Sequence, residues 1–69
     1  MAYPENIRRL REQHGLTQTE LAEKIGIRQQ NVAKMENGKI KPDVFTAIDI
    51  ADVFEISVKE LMHGTDDKV

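Results

Sequence analysis

Three consecutive side-chain amides followed by a lysine are the residues of this chain best suited to recognising a ligand. Gln29, Gln30 and Asn31 precede Lys34 in a segment with helical periodicity. An amide donates and accepts hydrogen bonds together, which matches the N6 and N7 edge of adenine in the major groove of DNA. The amides are therefore suited to hydrogen bonds with adenine. The alternative is that they are ordinary solvated polar side chains.

The charge of the chain is unevenly distributed. The net charge is −2 over 69 residues, but residues 24–41 carry five lysines and arginines against one acid, and residues 42–69 carry two lysines against seven acids. Because binding to phosphates depends on the local potential, a cationic middle segment favours a nucleic-acid backbone as its partner. A solvated, charged helix is the alternative interpretation of this segment.

Several functional classes find no support in the sequence. With no cysteine, the chain has neither a disulfide nor a thiolate metal site, and His14 and His63 lie far apart with no ligand cluster around either. No nucleophile–base pairing or phosphate loop is present, so we expect no enzyme, cofactor, metal or small-molecule ligand. No apolar run approaches the roughly 18 residues of a membrane span, and no signal-peptide pattern opens the chain. We expect a cytoplasmic protein that does not bind membranes.

The apolar positions follow a helical period, which predicts an all-α fold. Five short helices are expected at about 5–13, 17–25, 29–36, 43–54 and 58–62, packed as a compact orthogonal bundle in a single domain, 1–69, with a frayed tail at 64–69. The side chains predicted to face the core are Ile7, Leu10, Leu21, Ala22, Ile25, Val32, Met35, Val44, Ala47, Ile48, Ala51 and Leu61.

Local signals mark the ends of these helices. Thr17 with Glu20 and Ser57 with Glu60 have the spacing of a capping box. Gly26 is expected in a tight turn because a residue without a side chain is needed where two helices nearly meet. The second helix of this pair, at 29–36, would then project from the molecule, as a DNA-reading helix must.

Short motifs occur in a definite order along residues 5–62. They are Ile7-Arg8-Arg9-Leu10-Arg11, Gly15-Leu16-Thr17-Gln18, Leu21-Ala22, Gly26-Ile27, Glu36-Asn37-Gly38, Pro42, Ala47-Ile48, Ile50-Ala51, Ile56-Ser57 and Glu60-Leu61. Their order and spacing resemble the phage-repressor/Cro-type helix-turn-helix family, also called the XRE family. The resemblance implies a lambda-repressor-like DNA-binding domain and a transcriptional regulator, usually a repressor, that binds an inverted-repeat operator in double-stranded DNA as a homodimer.

The resemblance also implies a role for individual positions. Helix 3 would enter the major groove, where the base-reading residues are Gln29, Gln30, Asn31, Ala33 and Lys34. The residues that would meet backbone phosphates are Thr17, Gln18, Arg28, Asn37, Lys39 and Lys41. The dimer interface would comprise Phe54, Glu55, Ile56, Val58 and Met62. Similar repressors pair the residues at positions 11 and 36, so we expect a partly buried ion pair between Arg11 and Glu36.

Three positions depart from the family pattern. Arg28 stands where the family often has a serine that caps helix 3, and Glu55 stands where a glycine or asparagine often takes a left-handed backbone. Phe45 occupies a usually polar position, which suggests a surface for a partner. For Phe54, filling of the core is favoured over a place in the interface.

A second class of function is consistent with the same fold. A protein-interaction module of the antitoxin or anti-repressor type, with little or no DNA binding, would account for the acidic residues of helices 4 and 5. The amides and Lys34 on the outward face of helix 3 favour DNA binding. The operator, the regulated genes, and the choice among a phage repressor, a restriction–modification controller and an antitoxin remain open at this point.

Overall fold

The computed structural model describes residues 3–63, which form five α-helices and no strand. The helices are α1 (Tyr3–Gln13), α2 (Gln18–Ile25), α3 (Gln29–Glu36), α4 (Val44–Phe54) and α5 (Val58–His63). The all-α prediction is confirmed. The tail expected at 64–69 lies outside the described residues. None of the described helices is long and apolar enough to cross a bilayer.

The starts of α2 and α5 follow from side chains three residues apart. The Thr17 hydroxyl accepts a 3.0 Å hydrogen bond from the backbone N–H of Glu20, whose carboxylate accepts one of 2.8 Å from the N–H of Thr17. Ser57 and Glu60 form the same reciprocal pair, at 3.0 and 3.2 Å. These bonds satisfy N–H groups that have no partner within the helix. Helix α2 therefore begins one residue after its predicted start, because Thr17 is its cap.

Gly26 ends α2 for a different reason from the one expected. Its backbone is left-handed, with φ 76° and ψ 31°, and its N–H donates to the carbonyl of Ala22. A Cβ placed on Gly26 would meet no atom within 4 Å, so the close approach of two helices does not require the glycine. The expectation on this point was wrong, and the positive φ is what favours glycine here.

The core draws side chains from all five helices. Its buried apolar members are Ile7, Leu21, Ala22, Val32, Met35, Ala47, Ile50, Ala51, Phe54 and Leu61. Leu10 and Ile25, also predicted to face inward, are half-buried and pack against this cluster.

The inward face of α4 differs from the one predicted. Val44 and Ile48 are 69% and 40% exposed, whereas Ile50 and Phe54 are buried. Both arrangements have helical spacing, because the small residues of α4 fit either stripe. The stripe that ends at Phe54 removes a large aromatic ring from water, which stabilises the fold more than burial of a valine does.

Candidate nucleic-acid interface

Helices α2 and α3 form a helix-turn-helix whose second helix has one polar side. Across the turn the N–H of Ile27 donates to the carbonyl of Ala22 at 3.0 Å. Val32 and Met35 anchor α3 in the core, at 0% and 1% exposure. Val32 and Met35 lie on one side of this eight-residue helix, so the opposite side of α3 faces outward. The elements that would present the predicted base-reading residues are therefore in place.

The five predicted base-reading residues divide into two groups. Gln29, Gln30 and Lys34 are exposed, whereas Asn31 and Ala33 are half-buried. Gln30 and Lys34 are four residues apart on α3 and so lie on the same side of the helix. Asn31 instead lines a shallow groove of about 180 Å³ between α3 and the segment that leads into α4. The exposed members of the predicted set are thus two amides and one cation.

The ion pair expected between α1 and α3 is present. Nε of Arg11 lies 2.6 Å from Oε2 of Glu36, and Nη2 lies 3.1 Å from Oε1. The two side chains are 12% and 4% exposed. The hydrogen bond to the Glu36 carboxylate raises the pKa of Arg11, although burial opposes this. A third contact, 2.8 Å from Nη1 to the carbonyl of Leu16, holds the guanidinium beside the start of α2.

Two amides extend this ion pair to the start of α3. Nε2 of Gln18 donates to Oε1 of Glu36 at 3.1 Å, and Nε2 of Gln29 donates to Oε1 of Gln18 at 2.7 Å. The family resemblance implied that Gln18 binds a phosphate and braces α3, and that Gln29 meets bases. The structure joins both to the ion pair in one chain of hydrogen bonds, here called the relay: Arg11, Glu36, Gln18 and Gln29.

The predicted phosphate-contacting residues lie at both ends of α3 and at the start of α2. Five of them are exposed, and Gln18 is half-buried: the exposed residues are Thr17, Arg28, Asn37, Lys39 and Lys41. Arg28 precedes α3 without capping it, as its side chain makes no cap hydrogen bond. Lys39 follows α3, held by a 2.8 Å hydrogen bond from its N–H to the carbonyl of Lys34. Arg28 and Lys39 therefore lie beyond opposite ends of α3.

The loop after α3 is also tied to the first helix. The hydroxyl of Tyr3 donates a 2.8 Å hydrogen bond to the carbonyl of Ile40. Lys39 and Lys41 adjoin this residue, so α1 restrains the backbone of the cationic loop. No local sequence pattern links residues 37 positions apart, so this contact could not be predicted.

The predicted dimer residues differ in their accessibility. Phe54 is 4% exposed and belongs to the core, the place that the sequence analysis favoured over the interface. Ile56 and Met62 are half-buried against the core, Val58 is 37% exposed, and Glu55 is exposed. A hydrophobic side chain in the core cannot serve as a contact for a second molecule.

A different apolar patch, called here the α4 patch, consists of Val44, Phe45 and Ile48. Phe45 is 79% exposed, which agrees with the expectation from its position. The three residues lie within the first five of α4, a helix that contains acids but no base. This patch is the most exposed group of large apolar side chains among residues 3–63.

The described part of the chain contains no cluster of side chains that could bind a metal ion. No three His, Cys, Asp or Glu side chains among residues 3–63 are grouped so that they could hold an ion. The ring of His14 instead lies 4.9 Å from that of Phe54, tilted by 49°, and its Nδ1 is 2.9 Å from the carbonyl of Leu10.

A family model described as helix-turn-helix matches residues 7–61, nearly the whole of the five-helix bundle. The chain belongs to this XRE-type helix-turn-helix family. The family consists of transcriptional regulators and not of enzymes, which confirms the expectation of a non-catalytic protein.

Two curated relatives have matching lengths. An uncharacterized HTH-type transcriptional regulator of Archaeoglobus fulgidus is 36% identical over 63 residues, covering 91% of this chain and 90% of its own. Another, from Sinorhizobium fredii, is 37% identical over 62 residues, covering 90% and 80%. The match therefore extends across the complete helix-turn-helix and the helices around it.

Solved structures share the fold. The P22 c2 repressor in complex with a synthetic operator superposes with a TM-score of 0.90 over 94% of this chain and 98% of its own, at 18% identity. A transcriptional regulator from Listeria innocua superposes with a TM-score of 0.84 over 97% of this chain, at 34% identity, and this chain spans 62% of that structure. The repressor-like fold is thus retained at low sequence identity.

Proposed function

We propose that the protein is a cytoplasmic transcriptional regulator, acting as a repressor, that recognises specific sequences in double-stranded DNA with α3. The observation that carries this proposal is the pair of exposed amides on α3, Gln29 and Gln30, flanked by exposed cations at both ends of the helix. An α-helix fits the major groove of B-DNA, where amides distinguish base pairs. The P22 c2 repressor, which has this fold, has been solved bound to an operator.

In this proposal the exposed side of α3 supplies sequence discrimination. The amides of Gln29 and Gln30 bind the N6 and N7 edge of adenine, and Lys34 reaches the acceptors of guanine. The methyl group of Ala33 and the amide of Asn31 are both half-buried, and they contribute to base contacts where the wall of the DNA major groove approaches α3. We therefore expect half-sites that contain A·T pairs opposite the first turn of α3.

The phosphate contacts supply affinity and register. Arg28, Lys39 and Lys41 carry exposed positive charge close to α3, and Asn37 lies at its C-terminal end. At the start of α2, the helix dipole favours a phosphate beside Thr17 and Gln18. Because these contacts release counterions and read no bases, they should make binding depend strongly on salt.

The proposal includes a homodimer on an inverted-repeat operator. Helix α3 has eight residues and is roughly 12 Å long, so one copy contacts only a few base pairs. Two copies with half-sites about one helical turn apart would supply useful discrimination. We propose that the second copy docks on the exposed parts of Glu55, Ile56, Val58 and Met62.

One observation favours a second candidate function. The α4 patch lies on a helix without a basic residue, and Asp49 and Asp52 are exposed on the same helix. Such a surface suits a protein partner that combines apolar and basic side chains. In this alternative the helix-turn-helix is an interaction module with little DNA binding.

Selection from a random pool of DNA duplexes distinguishes the two. Purified protein at moderate salt should enrich an inverted repeat with half-sites about one turn apart. A Gln30→Ala, Lys34→Ala variant, both sites being exposed on α3, serves as the control and should lose the enrichment while it stays helical by circular dichroism. Absence of enrichment with the wild-type protein would overturn the DNA-binding proposal and direct attention to the α4 patch.

A further inference from the structure

The carboxylate of Glu36 fixes the direction of the hydrogen bonds in the relay. We propose that Glu36 is a positioning residue for base recognition: through Gln18 it sets which atoms of the Gln29 amide face the DNA, and so determines discrimination between adenine and guanine at one base pair. This inference rests on the proposed function, because it concerns how α3 reads that pair.

The direction begins at the carboxylate. An ionised carboxylate accepts hydrogen bonds and cannot donate them. Arg11 already donates to both oxygens of Glu36, at 2.6 and 3.1 Å, so both oxygens act as acceptors. Gln18 can therefore approach Glu36 only with its NH₂ group, as the 3.1 Å contact from Nε2 shows. The amide of Gln18 has one permitted orientation.

The same logic carries to the next amide. With its NH₂ group on Glu36, Gln18 directs its carbonyl oxygen away from the ion pair, and an amide oxygen can only accept. Nε2 of Gln29 donates to this oxygen at 2.7 Å. The Glu36 carboxylate, which is 4% exposed, thus fixes the orientation of the Gln18 amide. The Gln18 amide in turn fixes the orientation of Gln29, an exposed residue at the start of α3.

The Gln29 amide therefore presents one fixed arrangement of hydrogen-bond donor and acceptor to a base. One N–H of its amide is bound to Gln18, which leaves one N–H and the carbonyl oxygen. This donor–acceptor pair fits adenine, whose N7 accepts and whose N6 donates. Guanine presents two acceptors, N7 and O6, so the carbonyl oxygen of Gln29 would meet O6 without a proton between them. Adenine is favoured because the amide cannot reverse.

Reversal becomes possible when Glu36 is replaced by its amide. In a Glu36→Gln variant, the new NH₂ group can donate to the oxygen of Gln18. Gln18 can then turn its own NH₂ group toward the oxygen of Gln29. Gln29 would in this state offer both N–H groups to the DNA, which suits the two acceptors of guanine. Loss of a buried negative charge thereby changes base preference at a distance, without touching the DNA.

The test compares two duplexes that differ at one base pair. The first is the operator selected by the wild-type protein, and the second replaces adenine by guanine opposite Gln29. Wild-type protein should prefer the first duplex by about tenfold or more. In the Glu36→Gln variant this ratio should fall by about threefold or more, with affinity for the guanine duplex rising relative to adenine. A purely structural role would instead weaken both duplexes equally and leave the ratio unchanged, which would overturn the inference.

A second variant keeps the test valid if Glu36→Gln does not fold. Gln18→Ala removes the link but retains the Arg11–Glu36 ion pair, so its base ratio must also fall. An unchanged ratio in Gln18→Ala would overturn the inference. Gln13→Ala, an exposed glutamine on α1 outside the relay, is the matched control and should keep the wild-type ratio.

A measurement without DNA separates this inference from the proposed function. In the free protein, ¹⁵N relaxation should show an ordered Gln29 side-chain amide, which becomes mobile in Gln18→Ala. A Gln29 amide equally mobile in both proteins would overturn the relay, whatever the DNA result. An ordered amide combined with no selected operator would refute the proposed function and, with it, the assignment of Glu36 to base recognition.

Discussion

The side chain of Asn6 donates a 3.0 Å hydrogen bond from Nδ2 to the backbone carbonyl of Leu61, which joins the first helix of the bundle to the last. Asn6 is fully buried and is the only buried polar residue among residues 3–63. A second contact, at 3.4 Å, reaches the carbonyl of Glu60. Because α5 has six residues, its last carbonyls lack partners within the helix, and Asn6 supplies one from α1.

Replacement of Asn6 by leucine should lower the free energy of unfolding by about 1–3 kcal/mol, because the carbonyls of α5 would stay buried without this donor. Urea denaturation monitored by circular dichroism measures the change. Arg8→Ala is the control, since its ion pair with Glu12 is exposed and worth about 0–1 kcal/mol. If the two variants were equally stable, Asn6 would not be the link between α1 and α5.

Glu55→Gly should raise the free energy of unfolding by up to about 1 kcal/mol. Glu55 is the only non-glycine residue with a positive φ among those described, at 59°, and glycine adopts this conformation without a steric penalty. The control, Asp52→Gly, places glycine inside α4 and should lower stability by about 0.5–1 kcal/mol. Thermal unfolding of both variants checks the signs, and destabilisation by Glu55→Gly would contradict this account of the turn.

Stability at low pH should depend on Asp43, which caps α4. The hydrogen bond from the backbone N–H of Thr46, 2.7 Å long, lowers the pKa of Asp43, and the side chain of Thr46 lowers it further. Because the folded pKa lies below the unfolded value of about 3.9, the ionised cap stabilises the fold above that pH. This contribution is lost as pH falls through the folded pKa.

Asn also caps helices but does not titrate in this range, so Asp43→Asn should lose less stability than the wild type on acidification below about pH 4. Urea denaturation across pH 2–7 measures this dependence. Asp49→Asn removes the same charge from the interior of α4 and controls for the altered net charge. Identical acid profiles for Asp43→Asn and Asp49→Asn would be evidence against a role for the cap.

Gln30→Ala and Lys39→Ala should affect DNA binding in different ways. Loss of the Gln30 amide should cost roughly 1–3 kcal/mol on the selected operator and relax preference at one base pair. Loss of Lys39 should weaken binding to all duplexes alike and reduce the salt slope by about one. Fluorescence anisotropy at several salt concentrations measures both effects. Equal losses on selected and random DNA for both variants would refute this division of roles.

Comparing the self-association of two surface variants should identify which apolar surface a second copy binds. Val58→Ser should shift the protein toward monomer in sedimentation equilibrium, because Val58 is the most exposed apolar member of the proposed interface. Phe45→Ser, on the α4 patch, is the matched control and should leave the dimer intact. The reverse result would move the interface to the α4 patch. Each serine replaces a side chain that is at least 37% exposed, so neither opens a cavity in the core.

The sequence predicted the features that depend on neighbours a few residues apart. The capping boxes at Thr17 and Ser57 require only an acid three positions later, so the helix starts were near their observed places. The α4 face was misjudged because two helical stripes were compatible with its pattern. Packing against the other helices selected the stripe that buries Ile50 and Phe54.

By itself the sequence determined that the chain is helical, where its helices begin to within about two residues, and that α3 carries consecutive side-chain amides, because these properties follow from short-range spacing and residue type. Only the tertiary structure decided that Asn6 bonds to Leu61, 55 residues away, and that Gln18 connects Glu36 to Gln29. A polar residue on a short helix has no local signal for a distant partner. Such partners are specified when the helices pack and their remaining donors and acceptors meet.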